Sequence, residues 1–195
     1  MSALIVDHSS HGYEWSDLVR IWEETDAPEG CKVEIIEGII TVSPPPSNSH
    51  NMIAAKVQRR LYSVIPEDWG IYQTLGASIP SRDGLFIPDL AVMPEAALNT
   101  PGHFVPAADA ELAVEITSPS NAGTDRITKA AGYAQAGVPL SLLIDSFAPG
   151  GPTVTLYGEP KGGVYRVLGA VPFGEKLHLP APFDLTLDTA EFPVS

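Results

Sequence analysis

FIPDLAVM (residues 86–93) and ELAVEIT (residues 111–117) decide the reading of this chain. Each is a short apolar run, the pattern of a strand covered on both faces. Each also carries an acid where an apolar side chain is expected: Asp89 directly after Pro88, and Glu115 in the middle of the second run. An ionised carboxylate in an interior strand is costly unless a cation or donor compensates it. Two converging carboxylates are what Mg²⁺ accepts, with Mn²⁺ as an alternative, water and substrate phosphate completing the shell. A metal so held polarises a phosphoryl oxygen and lowers the pKa of a bound water. The competing explanation is that each acid ends its strand in solvent or pairs with an arginine.

Outward from these runs the pattern alternates between strand and helix. Residues 71–79 and 85–93 are rich in β-formers around the turn Ser81-Arg82-Asp83-Gly84, which predicts one antiparallel pair. His50 to Ile65 carries Ile53, Val57, Leu61 and Val64 at helical spacing, with Ser47 or Ser49 as cap. A second helix is predicted over Asp125–Ala136, stopped by Gly137 and Pro139, and a buried strand over residues 140–145. The predicted central order is helix, three strands, helix, strand, a mixed α/β arrangement. Before it, a short amphipathic helix is expected at Ser16–Thr25 and a hairpin over residues 33–42 around Glu37-Gly38. Residues 94–110 are expected to form a surface loop. Short strands are expected from 153 to about 180, with the last 15 residues a loose finish. The chain is read as a flexible leader (1–12) and one domain (13–195), with a core at about 47–146 and a C-terminal β extension at 150–182.

Composition narrows the class. Of 195 residues, 44% are hydrophobic, enough to close a core, and 36 are glycine or proline, which implies many turns. Cys31 is alone, so no internal disulfide or cysteine zinc cage forms. No basic segment leads into a long apolar run at the N-terminus, and no stretch is long enough for a membrane span, so a cytoplasmic location without membrane association is expected. The net charge of −13 argues against indiscriminate nucleic-acid binding, because phosphate is repelled by a negative field.

Lys129 sits on the helix after Glu115, with Asp125 and Tyr133 four residues to either side on one face. An ammonium there can stabilise charge developing on a phosphate. Spacing alone favours an ordinary Asp125–Lys129 helix pair. Lys56, Arg59 and Arg60 form a small basic patch that a solvated helix face explains as well as a nucleic-acid contact does. The histidines at 8, 11, 103 and 178 have no ligand spacing. GxSxG, HExxH and a phosphate-cradling glycine loop are absent.

Five motifs in order carry a family resemblance: Glu34-Ile-Ile-Glu-Gly38, Pro46-Ser-x-x-His50, Pro88-Asp89, Val114-Glu115-Ile-Thr-Ser118-Pro-Ser120 and Asp125-x-x-x-Lys129-x-x-x-Tyr133-x-x-x-Gly137-Val138. With them the chain resembles the Uma-type restriction endonuclease family of the PD-(D/E)XK nuclease superfamily. The resemblance implies a restriction-endonuclease-like core: a mixed central β-sheet flanked by helices, with further strands at the C-terminus. It implies Asp89 and Glu115 as Mg²⁺ ligands, Glu34 as a third acid, and His50 as a residue that positions water or touches phosphate. The superfamily's lysine falls at position 117, where this chain has Thr117. The family's lysine on the following helix corresponds to Lys129. Ser118 and Ser120 are expected to cap the turn into that helix.

The reading that follows is a Mg²⁺-dependent endonuclease acting on DNA, as a homodimer. One alternative is a nuclease-fold module acting in metal binding or protein interaction without turnover, favoured by Thr117 and by the negative charge. Another is an unrelated β-rich small-molecule domain, which would place no metal at Asp89 and Glu115.

Overall fold

The computed structural model describes Leu4–Val6, residues 13–119 and residues 121–193. Most of the expected leader, Ser120, His8 and His11 lie outside the described residues. Within the leader, β1 (Leu4–Val6) pairs antiparallel with a strand further on. α1 (Trp15–Glu24) follows, as its amphipathic spacing predicts. β2 (Lys32–Ile36) and β3 (Ile39–Ser43) form the expected hairpin, with Glu37 and Gly38 both at positive φ, as a two-residue hairpin turn requires. The long helix is α2 (Asn48–Leu61), whose Ser47 side chain accepts a hydrogen bond from the His50 N–H. It ends before the predicted Ile65, where Ser63 to Ile65 close a turn.

The central region departs from the single antiparallel pair predicted over residues 71–79 and 85–93. Four strands form instead: β4 (Trp69–Tyr72), β5 (Gly76–Ile79), β6 (Gly84–Phe86) and β7 (Leu90–Pro94). β5 pairs with β6 in one sheet and β4 with β7 in another, both antiparallel. Each expected strand therefore breaks midway and passes between sheets. The second break falls at Ile87-Pro88-Asp89, where proline has no N–H to donate to a ladder. The expected loop after β7 contains β8 (Phe104–Pro106), which runs parallel to β5.

β9 (Leu112–Ile116) leads through a π-helical turn (Thr124–Lys129) into α3 (Ala130–Ala136), and Gly137 ends the helix at positive φ. β10 (Leu140–Asp145) then lies parallel to β9. The chain finishes with β11 (Thr153–Lys161), β12 (Val164–Pro172), β13 (Lys176–Leu179) and β14 (Leu185–Asp188). The last 15 residues are not a loose finish: β14 pairs with β13, and Phe183, Leu185, Leu187 and Phe192 are buried.

One six-stranded sheet is ordered β1-β3-β2-β6-β5-β8, the other β12-β11-β10-β9-β7-β4, so the architecture is α+β with mixed sheets. The alternation of β7 and β9 divides the core. Leu90, Val92, Leu112, Val114 and Ile116 face α2 and the β13–β14 ribbon. Ala91, Met93 and Ala113 face α3 and the first sheet. Asp89, Glu115 and Thr117 share the parity of that second, smaller-residue face. α3 comes close because residue 132 is glycine: a Cβ there would lie 2.4 Å from the Phe86 ring. The neighbouring Tyr133 ring packs edge-on to Phe86 at 5.6 Å.

Candidate functional site

Four of the five residues singled out in the sequence, Glu34, His50, Asp89 and Lys129, line one pocket of about 250 Å³, and the fifth, Glu115, is buried behind it against Lys129. Asp89 stands at the break before β7 and is buried. Its Oδ2 accepts the Ile116 N–H at 2.7 Å, which ties it to the strand carrying Glu115. The same oxygen lies 3.0 Å from His50 Nε2, delivered by the first turn of α2. Its Oδ1 is ion-paired with Lys32, whose Nζ also donates to the Ile87 carbonyl at 3.3 Å. Burial alone would raise the Asp89 carboxyl. The His50 hydrogen bond and the Lys32 charge overcome that and hold it well below the usual carboxylate range.

Glu115 is held from the other side. Tyr133 Oη donates to its Oε1 at 2.6 Å, and Lys129 Nζ lies 3.4 Å from it. Lys129 also reaches Glu34 at 2.8 Å and Asp125 at 3.5 Å. Glu34 in turn accepts the Ile87 N–H at 2.7 Å, fixing the first sheet against the entrance to β7. The Asp125–Lys129 pair expected from spacing is present, but not as a solvated helix pair, for its side chains are only 0% and 3% exposed. Nor does the other simple explanation hold: neither Asp89 nor Glu115 ends in solvent or pairs with an arginine.

Charge is unevenly balanced. Glu34, Asp89, Glu115 and Asp125 are four carboxylates, against the ammonium groups of Lys32 and Lys129. Burial pushes Glu115 well above the usual range despite Lys129, with Asp125 and Asp89 adding to the rise. Burial likewise pushes Asp125 up to about 7. Burial works to discharge Lys129, but Glu115, Glu34 and Asp125 override it and hold the ammonium charged. Both oxygens of Asp125 are buried without a hydrogen-bond donor, and so is His50 Nδ1. The site thus carries more negative charge than its own cations offset, and protons are drawn in to relieve it.

A hard divalent cation is the other way to relieve it. Among the described residues no three His, Cys, Asp or Glu side chains form a closed metal cage. The donor set suits an ion that takes one or two carboxylates and keeps water and substrate for its remaining positions, as Mg²⁺ does. The Lys32 ammonium is lodged between the Asp89 carboxylate and the Ile87 carbonyl.

Thr117 explains itself locally. Its hydroxyl donates to Asp145 Oδ1 at 2.9 Å, and Arg126 grips the same carboxylate at 2.6 and 2.9 Å. Burial opposes ionisation of Asp145, but the Arg126 hydrogen bonds hold its carboxyl below the usual range. The position two after Glu115 is thus committed to anchoring the end of β10. Two features of the site, one residue and one contact, escape the sequence reading. Lys32 is the first; it alternates with Glu34 on β2 and so shares its face, a period-two signal that was available. The second is the bond from Tyr133 to Glu115, since helical spacing relates Tyr133 only to Lys129. Ser118 donates to Asn121 Oδ1 through both its N–H and its hydroxyl, in the turn ahead of the helix, while Ser120 lies outside the described residues.

A helix-flanked mixed sheet with paired acids and a lysine at the strand break defines a restriction-endonuclease-like protein. The chain belongs to the Uma2 family, described as “Putative restriction endonuclease”, whose model matches residues 15–190. Its fold is similar to that of a solved structure from Anabaena variabilis, described as a “putative nuclease belonging to DUF820”. That match covers 93% of this chain and 97% of the other, with a TM-score of 0.70 and 19% identity. No curated protein matches the chain. No helix among the described residues is long and apolar enough to cross a membrane.

Proposed function

We propose that this chain is a Mg²⁺-dependent endonuclease that hydrolyses phosphodiester bonds in DNA, with Mn²⁺ able to substitute. The observation that carries the reading is a cluster of buried acids with excess negative charge, Asp89 in the pocket wall and Glu115 buried behind Lys129, in a member of a restriction-endonuclease family. A divalent cation at Asp89 and Glu115 would neutralise the scissile phosphate and lower the pKa of the attacking water. The protein does the rest. Tyr133 and Lys129 fix the rotamer of Glu115, and the Ile116 N–H fixes that of Asp89. Lys32, at the pocket wall with a side chain 24% exposed, leaves Asp89 and takes a phosphate oxygen. His50 keeps Asp89 oriented through Nε2 and, from the pocket wall, positions a water or touches phosphate. Glu34 is the third acid, held by Lys129 and the Ile87 N–H.

The reading takes residues 13–195 as one domain, because the C-terminal ribbon shares a core with α2 and the central strands. It takes the protein as a cytoplasmic homodimer, since cutting both strands calls for two copies of the site. Light scattering at twice the monomer mass is the expected outcome.

The test is titration of Mg²⁺ and Mn²⁺ into the wild type and Asp89→Ala by calorimetry, beside a plasmid-nicking assay. Metal binding and nicking by the wild type, both lost in the variant, are expected. A wild type that binds metal yet leaves DNA intact would favour the second reading, a metal-binding interaction module without turnover. That reading draws on Thr117 and on Lys129 being enclosed by three carboxylates. No metal binding at millimolar concentration by either protein refutes both.

A further inference from the structure

Four of the chain's 11 lysines and arginines face one groove away from the pocket. It runs between α2 and the β13–β14 ribbon and holds about 480 Å³. Leu187 and Phe192 form its buried floor. Lys56, Arg59, Arg60 and Lys176 line its walls, against Asp188 and Glu191. Locally the balance is therefore positive, on a protein whose total is −13. Lys56 is bridged to Glu191 at 2.6 Å and Lys176 to Asp188 at 4.0 Å. Among the described residues no carboxylate forms a salt bridge with Arg59 or Arg60, although most other cations of the chain are so paired.

α2 links the groove to the candidate active site, lining the pocket with its first turns and the groove with its last. Ser49, which lines the pocket, lies on the same helical stripe as Lys56 and Arg60. Ten residues of helix from His50 to Arg60 span about 15 Å, the length of about four nucleotides of one strand. We propose that this groove is a second contact for nucleic acid, taking the phosphodiester backbone of the strand whose scissile phosphate lies at Asp89 and Glu115. Glu191 holds the place of a phosphate on Lys56 when no strand is bound. The strand assignment rests on the functional reading above; the groove's affinity for backbone phosphate does not.

The experiment is fluorescence anisotropy with a labelled 20-base-pair DNA duplex in EDTA, which separates binding from cleavage. The proteins are the wild type, Arg59→Ala/Arg60→Ala and Glu191→Gln, all changed at exposed positions and checked by thermal melting. The double variant is expected to bind at least tenfold more weakly, with the slope of log K against log salt shallower by about two, as loss of two phosphate contacts requires. Glu191→Gln is expected to bind more tightly. Unchanged affinity and slope in the double variant overturn the proposal, even where plasmid nicking shows the functional reading to be right. No duplex binding by the wild type overturns it as well. Duplex binding that depends on Arg59 and Arg60 without any nicking upholds the groove and defeats the nuclease reading.

Discussion

Replacing Lys129 by methionine keeps the length of the side chain and removes its charge. The structure gives this ammonium contacts with Glu34, Glu115 and Asp125, all buried. Removing one partner of a buried ionic network costs roughly 3–5 kcal/mol, chiefly because the opposite charges are left uncompensated. In a domain of this size that lowers Tm by roughly 6–20 °C. The pH dependence is the sharper test. Burial raises the carboxyls of Glu115 and Asp125, the latter to about 7. As pH falls from 8 to 5 Asp125 takes up its proton, and the burden left by the missing ammonium lightens. Lys129 does not itself titrate in that window: its folded value is raised, so its contribution is complete below the unfolded lysine value and is lost only as pH climbs through the folded one. Thermal melts of wild type and Lys129→Met in EDTA at both pH values read the difference. A Tm change below about 2 °C at pH 8, or a larger deficit at pH 5 than at pH 8, refutes the reasoning.

Lys32→Met should raise Mg²⁺ affinity, because an internal cation no longer competes for Asp89, while plasmid nicking falls at least tenfold; weaker metal binding by calorimetry would remove Lys32 from the role given to it. Tyr133→Phe deletes one hydrogen bond to a carboxylate, worth roughly 1.5–3 kcal/mol, and should lower kcat for nicking more than it weakens metal binding. Equal loss of both would make Tyr133 a packing residue alone. The metal-free wild type should be more stable at pH 5 than at pH 8: with raised carboxyls the folded state binds more protons than the unfolded one, so stability falls as pH rises from the ordinary carboxylate value toward about 7. Added Mg²⁺ should narrow that gap, and a gap it leaves untouched would argue against a cation at these acids.

Much of the core was legible because hydrophobic periodicity is local. The spacing of Ile53, Val57 and Leu61 gave α2, and the unbroken apolar run around Glu115 gave β9. Asp89 and Glu115 stood out for the same reason: a charge in an interior strand contradicts its own neighbourhood, and that contradiction is visible without coordinates. Residues 71–79 and 85–93 were harder. Both halves of each run are β-prone and pair antiparallel, so nothing in the local pattern marks the point where the chain leaves one sheet for the other. The last 15 residues misled for a related reason, since Phe183, Leu185, Leu187 and Phe192 bury against α2 and the central sheet rather than against sequence neighbours.

By itself the sequence determined that the domain mixes helices with short buried strands, and that two strand acids need compensation. Both follow from the side chain's own chemistry and its period along the chain. Only the tertiary structure decided what compensates them. Lys32 reaches Asp89 from the first sheet, and Lys129 is enclosed by Glu34, Glu115 and Asp125 rather than lying on a wet helix face. Thr117 is turned to Asp145 and Arg126. These pairings join residues distant in the chain, and they form because burial makes an unpaired charge too costly to leave alone.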